Sequence, residues 1–209
     1  MSINHIFIFT DTPDQSTKEL LQFGLIEGSN RIHKGQGTQN RKFYFQNFYL
    51  ELLWVSNINE IKNEITAPSK LFERSKYKSN GNSPFGLCLN YDTKDNKLFE
   101  NHFSYKPMYL PKEIKIEVLT NEKHPTLPWT FRWQADIPSS FENEPANKYQ
   151  LTDTIFQIKD IKNKYIENIS IHKNINFINS SDINLTLEFD NHKQNETKKF
   201  KTLPLIIKY

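Results

Sequence analysis

Glu51 is the residue of this 209-residue chain whose surroundings most demand an explanation. It stands between Leu50 and Leu52 in Tyr49 to Val55 (YLELLWV), an apolar run that reads as a strand. On a strand its side chain points opposite to both leucines. If that face is internal, the carboxylate is buried and needs a partner, since an unpaired buried charge is very costly. A metal, a substrate, Arg41 or Arg132 could each serve. If that face is external, Glu51 is a solvated residue of an edge strand. His5 poses the same question in Ile3 to Thr10 (INHIFIFT), where it alternates with Asn4 and Ile6. It reads either as a hydrogen-bonded core histidine or as a ligand facing a pocket.

A second group of candidates follows His33. Gly35, Gly37, Thr38 and Asn40 form a loop in which two glycines allow positive φ, so a rigid bend is the main reading for Gly35, Gly37 and Thr38. The loop lacks the Gly-Lys-Ser/Thr that precedes a helix in a phosphate loop. His33, Asn40 and Arg41 are candidates for a pocket rim. Trp54, Trp129 and Trp133 suit a core, and a pocket for a flat or apolar ligand would use one or two of them. Arg132, between Phe131 and Trp133, would clamp an anion or pair with Glu51 if it faced inward. Cys88, flanked by leucines, reads as an inert buried thiol. No histidine spacing places two metal ligands on one helix face.

The elements that must position these residues are mostly strands. After Ile3 to Thr10, Thr12-Pro13-Asp14-Gln15 reads as a capping box with proline at the first helical position, and the helix runs to about Phe23, stopped by Gly24. Leu25 to His33, Arg41 to Gln46 and Tyr49 to Val55 are strands, so the order is βαβββ and the first module spans 1–65. Ile58 to Ile65 reads as a helix and residues 66–83 as a polar linker. A second, divergent βαβββ module spans 84–135, with strands at Phe85 to Tyr91, Ile114 to Leu119 and Trp129 to Gln134 and a short helix or helical turn over Lys94 to Phe103. A β-rich extension covers 149–209, with strands at Thr154 to Ile158, Asn184 to Phe189 and Leu203 to Lys208 and a polar turn over Asp190 to Glu196. Lys198, Lys199 and Lys201 read as a solvated strand edge.

Composition narrows the function classes. The net charge of +3, from 27 basic and 24 acidic residues, is too balanced to point to nucleic acid. No apolar run approaches the roughly 20 residues of a membrane span, and no basic n-region precedes an apolar stretch at the start. One cysteine excludes an internal disulfide and fits a reducing compartment, so the expected address is the cytoplasm. The 16 phenylalanines and nine tyrosines supply a β-rich core or a pocket wall.

The segment from His33 to Val55, HKGQGTQNRKFYFQNFYLELLWV, closely resembles the His-Pro-Gly-x-Gly-Thr-x-Asn-Arg stretch, strand and Tyr-Leu-Glu-Leu of glyoxalase-like domains of the vicinal oxygen chelate superfamily. Pro128 to Trp133 (PWTFRW) weakly resembles a later strand of that family. The resemblance implies an α+β fold in which paired βαβββ modules form a cup-shaped mixed sheet, here with a β-rich C-terminal extension that completes the cup or covers its open edge. It implies a divalent metal (Zn, Fe, Ni or Mn) held by His5 from the first strand and Glu51 from the fourth. Neutral imidazole plus carboxylate suits such ions. His33, Asn40, Arg41, Trp54, Arg132 and Trp133 would then contact the substrate. The second module departs from this pattern: Gly86 takes the place of His5, and the counterpart of Glu51 falls near Thr130 or Arg132. Two functions follow. One is a metal-dependent lyase, isomerase or dioxygenase acting on a small molecule with vicinal oxygens. The other is a metal-free small-molecule-binding protein of the sequestering kind. Related proteins often pair modules across chains, so a homodimer is also implied.

Overall fold

Seven consecutive buried residues, Ile3–Phe9, form β1 near the centre of the larger of two sheets. The computed structural model describes residues 3–134 and 144–209; Met1, Ser2 and Ala135, which fall inside the module boundaries drawn above, lie outside the described residues. After β1 come α1 (Pro13–Gln22), β2 (Glu27–His33), β3 (Thr38–Tyr44) and β4 (Tyr49–Val55). Three short helices follow, α2 (Ile58–Ile61), α3 (Leu71–Ser75) and α4 (Tyr77–Asn80). Then come β5 (Phe85–Leu89), β6 (Phe103–Tyr105), β7 (Ile116–Leu119) and β8 (Trp129–Trp133). The remainder holds β9 (Leu151–Ile158), α5 (Lys164–Ile169), β10 (Ile175–Asn179), β11 (Asn184–Phe189), β12 (Thr197–Lys199) and β13 (Leu205–Lys208). The fold is α+β with two mixed sheets.

The larger sheet has the order β2-β3-β4-β1-β5-β8-β7-β6. This order is the same read outward from its middle in either direction: β1 pairs with β4 in parallel, β5 with β8 in parallel, and β1 meets β5 antiparallel. The duplication is therefore visible in the strand order. The second copy has no counterpart of α1. Of the short helix or helical turn expected over Lys94 to Phe103, the turn is what forms: Asp92 caps a 3-10 turn at Thr93–Asp95, and Phe103 already belongs to β6.

Each central strand is buried on both faces, as strands covered on both sides are. Ile6, Ile8, Leu50, Leu52, Phe85 and Leu87 point to the back of the sheet and share one buried cluster with Phe156, Leu185, Leu187, Leu205 and Ile207 of the smaller sheet. Phe85 meets Phe156 at 5.8 Å between ring centres, and Phe45 stacks on Phe189 at 4.5 Å. The C-terminal extension therefore lies over the back of the large sheet, with the order β10-β9-β11-β13-β12. This corrects the expectation that it completes the cup or covers its edge; the apolar back face is the larger surface to remove from water. Lys198 and Lys199 lie on the edge strand β12. The polar turn contains four residues with positive φ: Asp190, Asn191, His192 and Asn195.

Near the start, Pro13 opens α1 as expected, but Thr12 makes no side-chain cap. Its amide instead donates to the Thr10 hydroxyl. Residues 66–83 are not a loose linker. They hold α3 and α4, with Leu71 buried and Arg74 only 2% exposed. The Arg74 guanidinium donates to the carbonyls of Pro125 (2.8 Å), Leu127 (2.6 Å) and Thr120 (2.6 Å), tying α3 to the loop before β8. Burial lowers its pKa to about 10, so it remains charged at neutral pH. Among the described residues, no helix is long and apolar enough to cross a membrane.

Removing this guanidinium strands several buried carbonyls, each worth about 1–3 kcal/mol. Arg74→Met is expected to destabilise the fold by about 3 kcal/mol, read as a lower urea midpoint with an unchanged m-value.

Candidate functional site

Strand parity decides which side chains meet on the front of the large sheet. On β1 the front residues are His5, Phe7 and Phe9. Phe7 lies opposite Glu51 in β4 and opposite Gly86 in β5. Glu51 lies opposite Lys42 in β3, Asn40 opposite Arg31 in β2, and His33 opposite Thr38. From β8 come Trp129, Phe131 and Trp133. These front-facing residues, with Gln36, Tyr109 and Leu110 from loops, line one cavity of about 640 Å³ including the open solvent at its mouth.

Glu51 is 5% exposed at the floor of this cup. Its Oε1 accepts a hydrogen bond from Asn40 Nδ2 at 2.7 Å. Asn40 Oδ1 in turn accepts from the Arg31 backbone amide at 2.7 Å, which orients the amide so that its nitrogen faces the carboxylate. His33 Nε2 lies 3.4 Å from that nitrogen, and His33 Nδ1 lies 2.8 Å from the Thr38 hydroxyl. Gln36 donates to Thr38 and accepts from Tyr105, so the polar floor continues into the wall.

On the other side, His5 Nε2 is 3.7 Å from Glu51 Oε2. His5 Nδ1 lies 2.8 Å from Asn4 Oδ1, whose amide nitrogen donates to Asn90. With Asn4 oxygen as acceptor, Nδ1 carries the proton and Nε2 presents its lone pair to the cup. The ring is stacked on Tyr49 at 4.3 Å and meets Phe131 edge-on at 5.3 Å.

This setting shifts all three ionisable groups. Burial raises the Glu51 carboxyl to about 7, against the opposing pull of the Asn40 hydrogen bond and the Lys42 charge. Burial, with Lys42, lowers His5 to about 3; burial, with Arg31, does the same to His33. At neutral pH both imidazoles are neutral, and Glu51 exchanges readily between acid and carboxylate. Burial raises the Cys88 thiol well above its ordinary value, as expected of an inert thiol.

The metal set implied by the sequence meets an obstacle in the second module. Register aligns Phe7 with Cys88 when His5 is aligned with Gly86, and the partner of Cys88 in β8 is Phe131. Phe131, rather than Thr130 or Arg132, therefore occupies the position of Glu51. Gly86 has no side chain, and the Phe7 ring fills its space: a Cβ there would come within 2.0 Å of the ring. Among the described residues, no three His, Cys, Asp or Glu side chains are grouped to share an ion. Catalytic zinc sites hold three protein ligands, and here the half of the cup that would supply the third is aromatic. The donor set does not fit a metal centre.

Five of the eight residues marked from the sequence line the cavity: His5, Glu51, His33, Asn40 and Trp133. Three do not. Arg41 lies on the back of the sheet, where it pairs with Asp14 at 3.2 Å and Glu27 at 3.5 Å. Trp54 is adjacent to the front residue Leu53 and so points away from the cup. Arg132 is buried on the back, bound to Glu117 at 2.7 Å, the Asp92 carbonyl and Asn96, with Phe99 against its plane. Each has the wrong parity for the front face. The same parity rule would have found Lys42, Tyr49 and Arg31. Tyr109 comes from the loop between β6 and β7 and carries no periodic signal.

No family model and no curated protein matches the chain. Among solved structures, a hypothetical protein from Staphylococcus aureus superimposes with a TM-score of 0.62 at 14% identity, covering 98% of this chain and 96% of that one. That likeness is one of fold over nearly the whole length. Weaker superpositions include a hypothetical protein from Bacillus halodurans C-125 (TM-score 0.42, 10% identity, 66% and 96% covered). Another is methylmalonyl-CoA epimerase in complex with methylmalonyl-CoA and NH4+ (TM-score 0.42, 13% identity, 66% and 98% covered). Fold and site together define a duplicated βαβββ cup with one polar half and one aromatic half.

Because folding raises the Glu51 pKa from an ordinary 4.5 to about 7, the folded state keeps a proton that the unfolded chain releases. This contribution to stability is fully present below pH 4.5 and is lost as pH rises through 7. His5 and His33, with lowered values, act oppositely: their contribution is lost as pH falls below their unfolded value of 6.5. The difference between Glu51→Gln and wild type isolates the carboxyl. The variant is expected to gain relative stability by about 3 kcal/mol between pH 4.5 and pH 8, read from urea unfolding at each pH.

Proposed function

We propose that this protein is a glyoxalase-like member of the vicinal oxygen chelate superfamily that takes a small organic molecule into its cup and transfers a proton with Glu51, without a metal ion. The observation that carries this reading is the Glu51 carboxyl buried at the cup floor, bound to Asn40 at 2.7 Å and 3.7 Å from His5 Nε2; burial pushes its pKa up to about 7. A general base works best when its pKa lies near the operating pH. Glu51 Oε1 is committed to Asn40, which leaves Oε2 to face the ligand beside the His5 lone pair.

In this reading the ionised Glu51 takes the proton of a C–H next to a carbonyl of the ligand; the C–H pair becomes the C=C of an enolate and the carbonyl π pair moves onto the ligand's own oxygen. Return of the proton at the same or a neighbouring atom completes an isomerase- or epimerase-type step. His5, neutral and fixed through Asn4, accepts a hydrogen bond from a ligand hydroxyl or from protonated Glu51. Trp129, Phe131 and Trp133 hold the flat or apolar part of the ligand and exclude water, which strengthens each polar contact.

Sequestration without chemistry is the second reading, favoured by the aromatic wall that replaces the second half of the ligand set. The single cysteine carries a cytoplasmic address into this proposal, and the resemblance a homodimer; light scattering after size-exclusion chromatography checks the dimer.

A panel of small 2-oxo acids and hydroxyketones incubated in D2O distinguishes the readings. Proton NMR is expected to show protein-catalysed exchange of the acidic C–H, reduced at least about 100-fold in Glu51→Gln and unchanged by EDTA. Binding, followed by the fluorescence of Trp129 and Trp133, is expected to survive the substitution. Binding without exchange supports sequestration, and exchange abolished by EDTA refutes the metal-free mechanism.

A further inference from the structure

We infer that the ligand of the cup is an anion, its acid group held at the mouth between Arg31 and Lys42 and its flat body lying inward against Trp129, Phe131 and Trp133. This deepens the cup-binding reading above and rests on it.

Both cations stand at front-facing positions of adjacent strands. Arg31 lies opposite Asn40, and Lys42 lies opposite Glu51. Both line the cavity, Arg31 exposed and Lys42 half-buried, so their charges sit at the rim rather than on the floor. Their fields reach the floor: Lys42 acts on His5, His33 and Glu51, and Arg31 on His33.

The other three arginines of the chain are committed elsewhere. Arg41 pairs with Asp14 and Glu27, Arg132 with Glu117, and Arg74 is enclosed by carbonyls. Among the described residues, neither Arg31 nor Lys42 forms an ion pair. Arg31 Nη2 donates to the Tyr109 carbonyl at 2.8 Å and its guanidinium lies 5.0 Å above the Tyr109 ring, which leaves further N–H groups to bind a ligand. Lys42 rests over the rings of Tyr44 and Tyr49 at 5.9 and 5.6 Å, with a long hydrogen bond to the Tyr44 hydroxyl. Glu144, a carboxylate outside the cavity lining that feels Lys42, is held by the Ser29 amide at 2.9 Å.

The acid among the cavity-lining residues is Glu51 alone, on the floor. The cup therefore has a cationic mouth, an aromatic wall and, inside, one carboxyl flanked by two imidazoles. An amphiphilic carboxylate or phosphate monoester matches that order of chemistry from rim to floor. A neutral or cationic molecule of the same shape leaves the two rim cations unmatched.

The test compares 2-naphthoate with 2-naphthamide, matched in shape and differing in charge, by isothermal titration calorimetry on wild type, Arg31→Gln and Lys42→Gln. Thermal melts check that each variant is folded. The expected result is that naphthoate binds wild type about tenfold or more tightly than naphthamide. Each substitution is expected to narrow that gap, and so is added salt. Equal binding of the two probes, or a gap that persists in both variants, overturns the anion inference while leaving the cup-binding reading intact. Binding of neither probe overturns both.

Discussion

A carboxylate buried among aromatic rings is costly unless it is hydrogen-bonded, paired or neutralised, and the front of the large sheet is arranged around that cost. Glu51 is brought to the floor by the parallel pairing of β1 with β4 and the antiparallel pairing of β4 with β3. The first sets His5 and Phe7 beside it, and the second sets Asn40 and Lys42. Asn40 satisfies one oxygen. The other faces an imidazole lone pair 3.7 Å away, where a proton on either group is stabilising and a bare anion is not. Burial is what raises the Glu51 pKa, against the opposing pull of the Asn40 hydrogen bond and the Lys42 charge.

Duplication explains the shape of the cup, and divergence explains its chemistry. The two modules contribute equivalent strands around the β1–β5 seam, yet only the first contributes polar side chains to the floor. In the second, the Phe7 ring covers Gly86 and Phe131 replaces the carboxylate position. Closing that half with rings removes donors and adds a flat apolar surface, so the asymmetry that disfavours a metal centre also creates a wall for an organic ligand. The smaller sheet supports this from behind. By covering Ile6, Ile8, Leu50 and Leu52, it leaves the front as the face free to host chemistry.

Much of this was legible in the residues. The strands from Ile3 to Val55 and at Phe85, Trp129 and Asn184 follow from apolar runs or apolar alternation, and Gly24 and Pro13 bracket α1 as expected. The short elements were not legible. β6, β10 and β12 are three to five residues long, and their pairing partners, rather than their own patterns, make them strands. Residues 66–83 look like a linker because their one large buried group is Arg74, whose partners are carbonyls more than 45 positions away. The site was half legible for a related reason. Asn40 and Arg41 are neighbours on one strand and cannot both face the cup. Only the register between β3 and β4 chooses Asn40 and sends Trp54 to the back, and the pairing of β8 with β5 and β7 does the same to Arg132.

The most direct test of the account is the ionisation of Glu51 itself. Carbon-13 NMR of EDTA-treated protein labelled at glutamate carboxyls, with Glu51→Gln to assign the resonance, follows this one group through a pH titration. The account predicts a midpoint near pH 7. A midpoint at the ordinary glutamate value near 4.5 would show that the cup leaves its carboxylate permanently charged and would contradict the proposed acid–base role.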